Sequence, residues 1–369
     1  MHIEELELEN FRNYKSVKTS FSNKINVIYG ENAQGKTNII ESIFLCASGR
    51  SHRTSKDAEL VNVNSNNFNV KIIINKNNEK KLIDYQYKSG KKVIMINEIP
   101  VKKIGNLMGN LLAVIFSPED ILIIKEGPSL RRRFIDITIS QLQPSYFYNL
   151  QQYNKILIQR NNLLKEIQKN KSLIETMEIW DEKISEVGSR IVVARNKFLK
   201  NLNKISKIKH YKLTNNCEEL EIQYKTNIEE KKFDSIDLIE KEMIEKLKRI
   251  RNIELKRCVT LIGPHRDDYE IILNGMKLKN FGSQGQQRTA ILSLKLSEIE
   301  IIKNETDDYP VLLLDDVMSE LDKKRREFLL DSIQDIQVFI TCTEKDFFSK
   351  NEFNDILYLN IQEGNLYKI

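Results

Sequence analysis

GENAQGKT, Gly30 to Thr37, decides how this chain is read. It fits the pattern G-x-x-x-x-G-K-[ST]. Glycines let the backbone curl around a phosphate, successive N–H groups point inward, and a helix N-terminus stands behind them. Lys36 adds a mobile cation for β- and γ-phosphates, and Thr37 offers a hydroxyl to Mg²⁺. A glycine turn without a ligand is the bland alternative. The setting argues against it: INVIYG (25–30) is a compact β-branched run, and TNIIESIFLCA (37–47) has apolar residues at helical spacing. Strand, loop and helix stand in the order that a phosphate cradle requires.

Two further stretches carry chemistry. VLLLDD, Val311 to Asp316, is an apolar run ending in two carboxylates. A strand end alone would explain it. With a phosphate loop upstream, Asp315 fits a group holding Mg²⁺ through water, and Asp316 one that polarises an attacking water. FGSQGQQRT, Phe281 to Thr289, comes earlier, with Ser283 standing 28 positions before Val311. Locally, Ser283 and Gln286 make the S-x-x-Q capping box of a helix. The same geometry, with a serine hydroxyl and the close-approach Gly285 at a helix N-terminus, would hold a γ-phosphate.

Outward from these motifs, the ends of the chain are strand-rich and the middle is helical. HIEELEL (2–8) alternates like a strand. FNVKIII, LIDYQY and KVIMI, between 68 and 98, predict an antiparallel meander with polar turns, and LLAVIFS (111–117) predicts another buried strand. From 129 to 210 the spacing turns helical. Tyr146, Leu150, Tyr153, Leu157, Leu164 and Ile167 trace one stripe, which Arg160 interrupts. After KNKS (169–172), a second stripe runs from Trp180 to Ile205. The pair predicts an antiparallel helical hairpin with arms of about 25 residues, roughly 38 Å long. Residues 213–256 read as charged and partly helical, with KKFDS as a joint. CVTLIGPH, YEIILNG, VLLLDD and QVFITC then read as strands, so both ends of the chain must meet in one sheet.

Composition bounds the class. The 369 residues, 40% hydrophobic and 30% charged, suit one large domain or two ordinary ones. No apolar run reaches the ~18 residues of a membrane span, and the N-terminus has neither the basic start nor the apolar stretch of a signal peptide. The expectation is a cytoplasmic protein with no membrane partner. Four cysteines without a C-x-x-C pair read as free and buried, and four scattered histidines give metal clusters no support. Net charge is +6, but Lys155 to Lys212 holds 14 Lys/Arg against 6 Asp/Glu. That surplus is either a solvated helix face or a surface for nucleic acid.

S-x-G-Q shortly before an acidic strand, with SELD (Ser319 to Asp322) just after it, resembles the ABC superfamily of ATPases. The short helical insert favours the RecF family over the long-armed SMC proteins. ENFRNY (9–14), GPSLRRRFID (127–136) and GPHRDD (263–268) also resemble RecF segments. The resemblance implies an α/β fold: an ABC-type P-loop ATPase head with an antiparallel β meander, from 1–128 and 257–369, and an inserted helical lobe at 129–256. It implies ATP and Mg²⁺ as cofactors. Gly30, Glu31, Asn32, Ala33, Gln34, Gly35, Lys36, Thr37 and Asn38 would bind ATP in cis. Ser283, Gly285 and Gln286 would seal the ATP of a second protomer, with Asp322 across the same interface. Thr37 and Asp315 would hold the metal, and Lys36 and Asp316 would serve catalysis.

Two departures bear on rate. Asp315-Asp316 stands where many ABC ATPases have Asp-Glu, and Thr341-Cys342-Thr343 stands where many have a histidine. Thr343 takes that place, and a hydroxyl cannot titrate like an imidazole, so slow hydrolysis is expected. The resemblance further implies an ATP-dependent homodimer on duplex DNA and single-strand/duplex junctions. It also implies work with RecR and RecO to load RecA at gaps, in replication restart and the SOS response. Arg50 and Arg53 read equally as phosphate contacts or surface charges. Arg131, Arg132 and Arg133 oppose a helix dipole, so each needs a structural or a DNA-phosphate partner.

Three other classes fit less well. A transporter ATPase subunit needs a membrane-docking surface and usually the histidine. An SMC-like chromosome protein needs longer arms. A nuclease fused to such a head needs an acidic metal cluster that no segment is left to house.

Overall fold

The computed structural model describes residues 1–229, 231, 233, 235–343, 355–362 and 364–368. Contacts divide the chain into two units, Met1–Ile121 with Arg288–Ile369, and Leu122–Gln287. In the first unit the chain opens with β1 (His2–Phe11), β2 (Tyr14–Ser20), β3 (Ile25–Tyr29) and helix α1 (Lys36–Ser48). The meander follows as β4 (Asn67–Lys76), β5 (Glu79–Lys88), β6 (Lys91–Ile96) and β7 (Ile99–Pro100), then β8 (Ala113–Phe116). The second unit holds α2 (Leu122–Lys125), α3 (Pro128–Leu142), α4 (Pro144–Ile167), α5 (Met177–Leu213), β9 (Leu220–Lys225), α6 (Ile236–Arg257), β10 (Asp268–Leu273), β11 (Met276–Lys277) and α7 (Leu278–Phe281). Helix α8 (Gln284–Thr306) returns the chain to the first unit, which ends with β12 (Val311–Asp315), α9 (Lys323–Asp331), β13 (Val338–Cys342), β14 (Ile356–Gln362) and β15 (Asn365–Lys368).

Two six-stranded sheets build the first unit. One is antiparallel, in the order β2-β1-β4-β5-β6-β7. Its hairpins turn on residues with positive φ: Asn77-Asn78, Ser89-Gly90 and Asn97-Glu98. Two such residues are what a tight primed turn needs to match strand twist. The other sheet runs β15-β14-β3-β13-β12-β8, parallel except for its β15 edge. The ends of the chain therefore meet as expected, with β3 held between β13 and β14. Helix α1 packs on β12 and β13 of one sheet and on β4 and β5 of the other. Covered on both sides, it is buried nearly all round: Ile39, Ile40, Ile43, Leu45, Cys46 and Ala47 are fully buried, and so are the polar Glu41 and Ser42.

The second unit departs from expectation in two places. CVTLIGPH is not a strand: α6 ends at Arg257, Cys258 turns left-handed at φ 52°, and a loop runs to Asp267. YEIIL does form β10, but it pairs with β9 in a separate three-stranded sheet, β11-β10-β9. The boundary thus falls after Gln287 rather than at 256. The helical pair is present and unequal. Helix α4 has 24 residues and α5 has 37, so α5 is roughly 56 Å long. Its C-terminal part lies on β9, where Asn203 Oδ1 accepts from Ile222 N at 2.7 Å.

Arg160, the break in the first apolar stripe, is fully buried. Its guanidinium donates to Asp181 Oδ1 at 3.0 and 2.6 Å, to Glu254 Oε2 at 2.6 Å and to Thr260 Oγ1 at 2.8 Å. It pins α4 to α5, to α6 and to the loop beyond. All four cysteines are free, but only Cys46 and Cys342 are buried; Cys217 is exposed and Cys258 half-buried. Among the described residues no helix is long and apolar enough to cross a membrane.

Candidate nucleotide site

Strand register places the acidic pair. Asp315 lies beside Thr341, and Thr341 beside Ile28, so the loop after β3 and the end of β12 open on the same edge of the parallel sheet. The loop itself needs its glycines. Gly30 has φ +152°, and a Cβ there would sit 2.5 Å from the Ile361 carbonyl oxygen; Gly35 has φ +113°, and a Cβ there would sit 2.5 Å from Asn13 Nδ2. Lys36 is buried, and its ammonium donates to the carbonyls of Gly30 at 2.7 Å and Glu31 at 2.9 Å. Helix α1 has no side-chain cap and no acid in its first turn, which leaves its N-terminal N–H groups for an anion. These residues fit a polyphosphate.

Thr37 Oγ1 donates to Asp315 Oδ1 at 2.9 Å, and Thr341 Oγ1 donates to the same oxygen at 2.7 Å. Thr341 Oγ1 in turn accepts from Asp316 N at 2.9 Å. Burial raises the pKa of Asp315 and so does the charge of Asp316, against the pull of Thr341, Thr37 and Arg53. A crowded carboxylate beside a hydroxyl is the donor set that a hard divalent cation takes, and such a cation would relieve the crowding. Asp316 itself is left-handed, at φ 53° and ψ 19°, a conformation that costs a non-glycine residue about 1 kcal/mol and is common where function fixes a side chain.

Sequence reasoning missed the shell behind the loop. Asn13 Nδ2 donates to Gln34 O at 2.7 Å, Asn38 Nδ2 to Asn13 Oδ1 at 2.8 Å, and the Tyr14 hydroxyl to Gly35 O at 3.0 Å. The ENFRNY stretch therefore braces the loop from outside. Arg12 grips the buried carboxylate of Glu41 through two bonds of 2.9 and 2.8 Å, Ser51 donates to it, and Arg53 stands 3.4 Å away. Burial pushes the Glu41 pKa up, but these donors and the two cations more than offset it, so it lies below its ordinary value. Arg53 also donates to Asn38 at 3.1 Å, whereas Arg50 is exposed. Thr343 lies just past the end of β13 and is exposed; the hydroxyl bonded to Asp315 is that of Thr341. Between them, burial and the charge of Asp316 push the Cys342 thiol up to about 12.

The serine-led helix has the expected capping box. Ser283 Oγ accepts from Gln286 N at 3.2 Å, and Gln286 Oε1 accepts from Ser283 N at 2.9 Å. Ser283 is exposed and Gly285 half-buried, while Gln286 also donates to Glu218 at 2.8 Å. Asp322 caps α9, accepting from Arg325 N at 2.9 Å, and Arg325 Nε donates to Thr289 at 2.8 Å on α8. Of the three arginines in α3, Arg131 has a structural partner, Asp268, through bonds of 2.6 and 2.9 Å. Arg132 donates to the Asp267 carbonyl at 2.6 Å, and Arg133 is exposed.

A phosphate loop after β3, an acidic pair ending β12 and a serine-capped helix before it define the head of an ABC-type ATPase. The family of the RecF/RecN/SMC N terminal domain matches residues 2–365. Over 368 residues the chain is 62% identical to the DNA replication and repair protein RecF of Acetivibrio thermocellus, covering 100% of both. The chain belongs to the RecF family. It is also 42% identical to the solved recombination mediator protein RecF with ATP in the RecFOR pathway, at a TM-score of 0.93, covering 100% of this chain and 97% of that one. An SMC head bound to the C-winged helix domain of ScpA shares the fold, at 16% identity and a TM-score of 0.57, covering 100% and 97%.

Proposed function

We propose that this chain is an ATP-gated DNA clamp of recombinational repair, closed by two copies that share each ATP. The observation that carries the reading is the Thr37–Asp315 pair at 2.9 Å in front of the glycine loop. Gly30, Glu31, Asn32, Ala33, Gln34, Gly35, Lys36, Thr37 and Asn38 wrap the phosphates of ATP, and Thr37 and Asp315 hold Mg²⁺. Asp316 orients and polarises the attacking water. Ser283, Gly285 and Gln286, with Asp322, lid the nucleotide of the other copy. The γ-phosphate gives that lid contacts which ADP lacks, so hydrolysis reopens the dimer.

Lys and Arg on the helical lobe grip duplex phosphates, which makes binding salt-sensitive and weak in sequence preference. Duplex DNA and single-strand/duplex junctions are the substrates. The relative solved with ATP works in the RecFOR pathway, which supports RecR and RecO as partners here and RecA loading as the outcome. Such a clamp acts in the cytoplasm, on the chromosome. Duplex affinity of the full chain in ATP and in ADP tests the reading. The expected result is at least about tenfold tighter binding in ATP, falling steeply with salt. Equal affinities, or a flat salt response, contradict it.

A further inference from the structure

The nucleotide site leaves GPHRDD and the arginines of α3 unused, and the second unit brings them together. His265 Nε2 faces the Thr260 carbonyl at 3.0 Å and Nδ1 faces the Tyr153 hydroxyl at 2.7 Å. A carbonyl only accepts, so Nε2 carries a proton. Burial and the charges of Arg266, Arg132 and Arg160 push the ring's pKa down to about 4, and all three cations bond Thr260 or Asp267. The acids of this region hold other partners, although Asp136, Asp268 and Asp267 also act on Arg132 through their charge. Asp268 holds Arg131, Asp136 holds Arg195 through two bonds of 2.9 Å, and Asp267 accepts from the Tyr224 hydroxyl.

Arg132 and Arg266 are placed differently. Arg132 donates to the main-chain carbonyl of Asp267 at 2.6 Å, and Arg266 donates Nε and a terminal nitrogen to the Thr260 carbonyl at 3.3 and 3.1 Å. Among the described ion pairs, neither guanidinium is bonded to a carboxylate. Arg266 is exposed and Arg132 half-buried, and the first turn of α3 carries no acid. A carbonyl orients a guanidinium without cancelling its charge. Each keeps a rigid fork of N–H donors, the geometry that matches a phosphate, with part of its side-chain freedom already lost.

We propose that Arg132 and Arg266 form a phosphodiester contact, through which the GPHRDD loop binds the DNA backbone. This deepens the clamp reading and rests on its DNA partner. The contact positions the duplex without reading its sequence.

The test follows a fluorescein-labelled duplex by anisotropy over a salt series, with the full chain in saturating ATP. Arg132→Gln and Arg266→Gln each weaken binding about threefold to tenfold at physiological salt and each lower the salt slope by roughly one. ATP-dependent dimerisation, measured in parallel, reports on the clamp reading alone. Slopes equal to wild type in both variants overturn the phosphodiester contact. Hydrogen exchange on the unaltered chain gives a readout independent of how the variants fold: duplex is expected to protect the amides of 263–268. No protection by duplex, or protection by poly-glutamate instead, overturns the proposal.

Discussion

Thr37 Oγ1 and Asp315 Oδ1 are joined by a hydrogen bond of 2.9 Å across 278 positions of sequence. Two pieces of chain that are remote in sequence thus build one polar site, because β13 lies between β3 and β12 and sets their register. Thr341 completes the arrangement from β13 itself, bonding Asp315 and receiving the Asp316 amide.

Asp315→Asn tests whether that carboxylate is strained for its task. Its pKa is raised by burial and by Asp316, so in the protein without nucleotide its ionised form costs stability as pH rises through the folded value. An asparagine still accepts from Thr37 and Thr341 without the charge. The variant should melt about 2 °C higher at neutral pH without nucleotide and lose Mg²⁺-dependent hydrolysis. A lower melting temperature contradicts the strain.

Glu41→Gln should destabilise the chain by about 3 kcal/mol at neutral pH, because Arg12 and Arg53 lose their shared carboxylate. The Glu41 pKa is depressed in the folded chain, so its contribution is complete above the unfolded carboxylate value of about 4.3 and fades as pH falls through the lower folded one. Urea unfolding of both proteins down the acid range checks this. The gap between them should close at the acid end, and a gap independent of pH counts against the ion pair.

Turnover should be slow, below about one per second. The hydroxyl bonded at Asp316 is that of Thr341, Thr343 is exposed just past β13, and neither hydroxyl titrates near neutrality. Thr343→His should raise the rate, measured as phosphate release with and without duplex. Many turnovers per second in the unaltered chain would contradict a timed switch.

How much of this was legible depends on what dictates each residue. The loop conformation at Gly30 and Gly35 could be read directly, since its positive φ and close approaches admit few residues but glycine. Strands β3, β12 and β13 are buried on both faces and read as continuous apolar runs. Strand β9 did not show, because only Leu220 and Ile222 of LEIQYK are buried and its charged surroundings suggested helix. CVTLIGPH misled in the opposite sense: it is apolar, yet its Thr260 carbonyl serves His265 and Arg266 rather than a ladder. Arg160 looked like a defect in a stripe, and only its three buried partners explain it. Asn13, Tyr14 and Thr341 follow no local pattern, since tertiary register alone brings them to the loop.

Ser283→Arg and Lys36→Met separate the lid from the cradle. Lys36→Met should abolish ATP binding, read by a fluorescent nucleotide. Ser283→Arg should leave binding to each monomer intact and block pairing by clash and charge. Loss of binding in the serine variant would place Ser283 on its own subunit's nucleotide.

Solution mass under three conditions tests the shared triphosphate most directly. With ADP the chain should run as a monomer, with ATP as a partial dimer, and Asp316→Asn with ATP as a trapped dimer. A single mass under all three conditions would contradict the account.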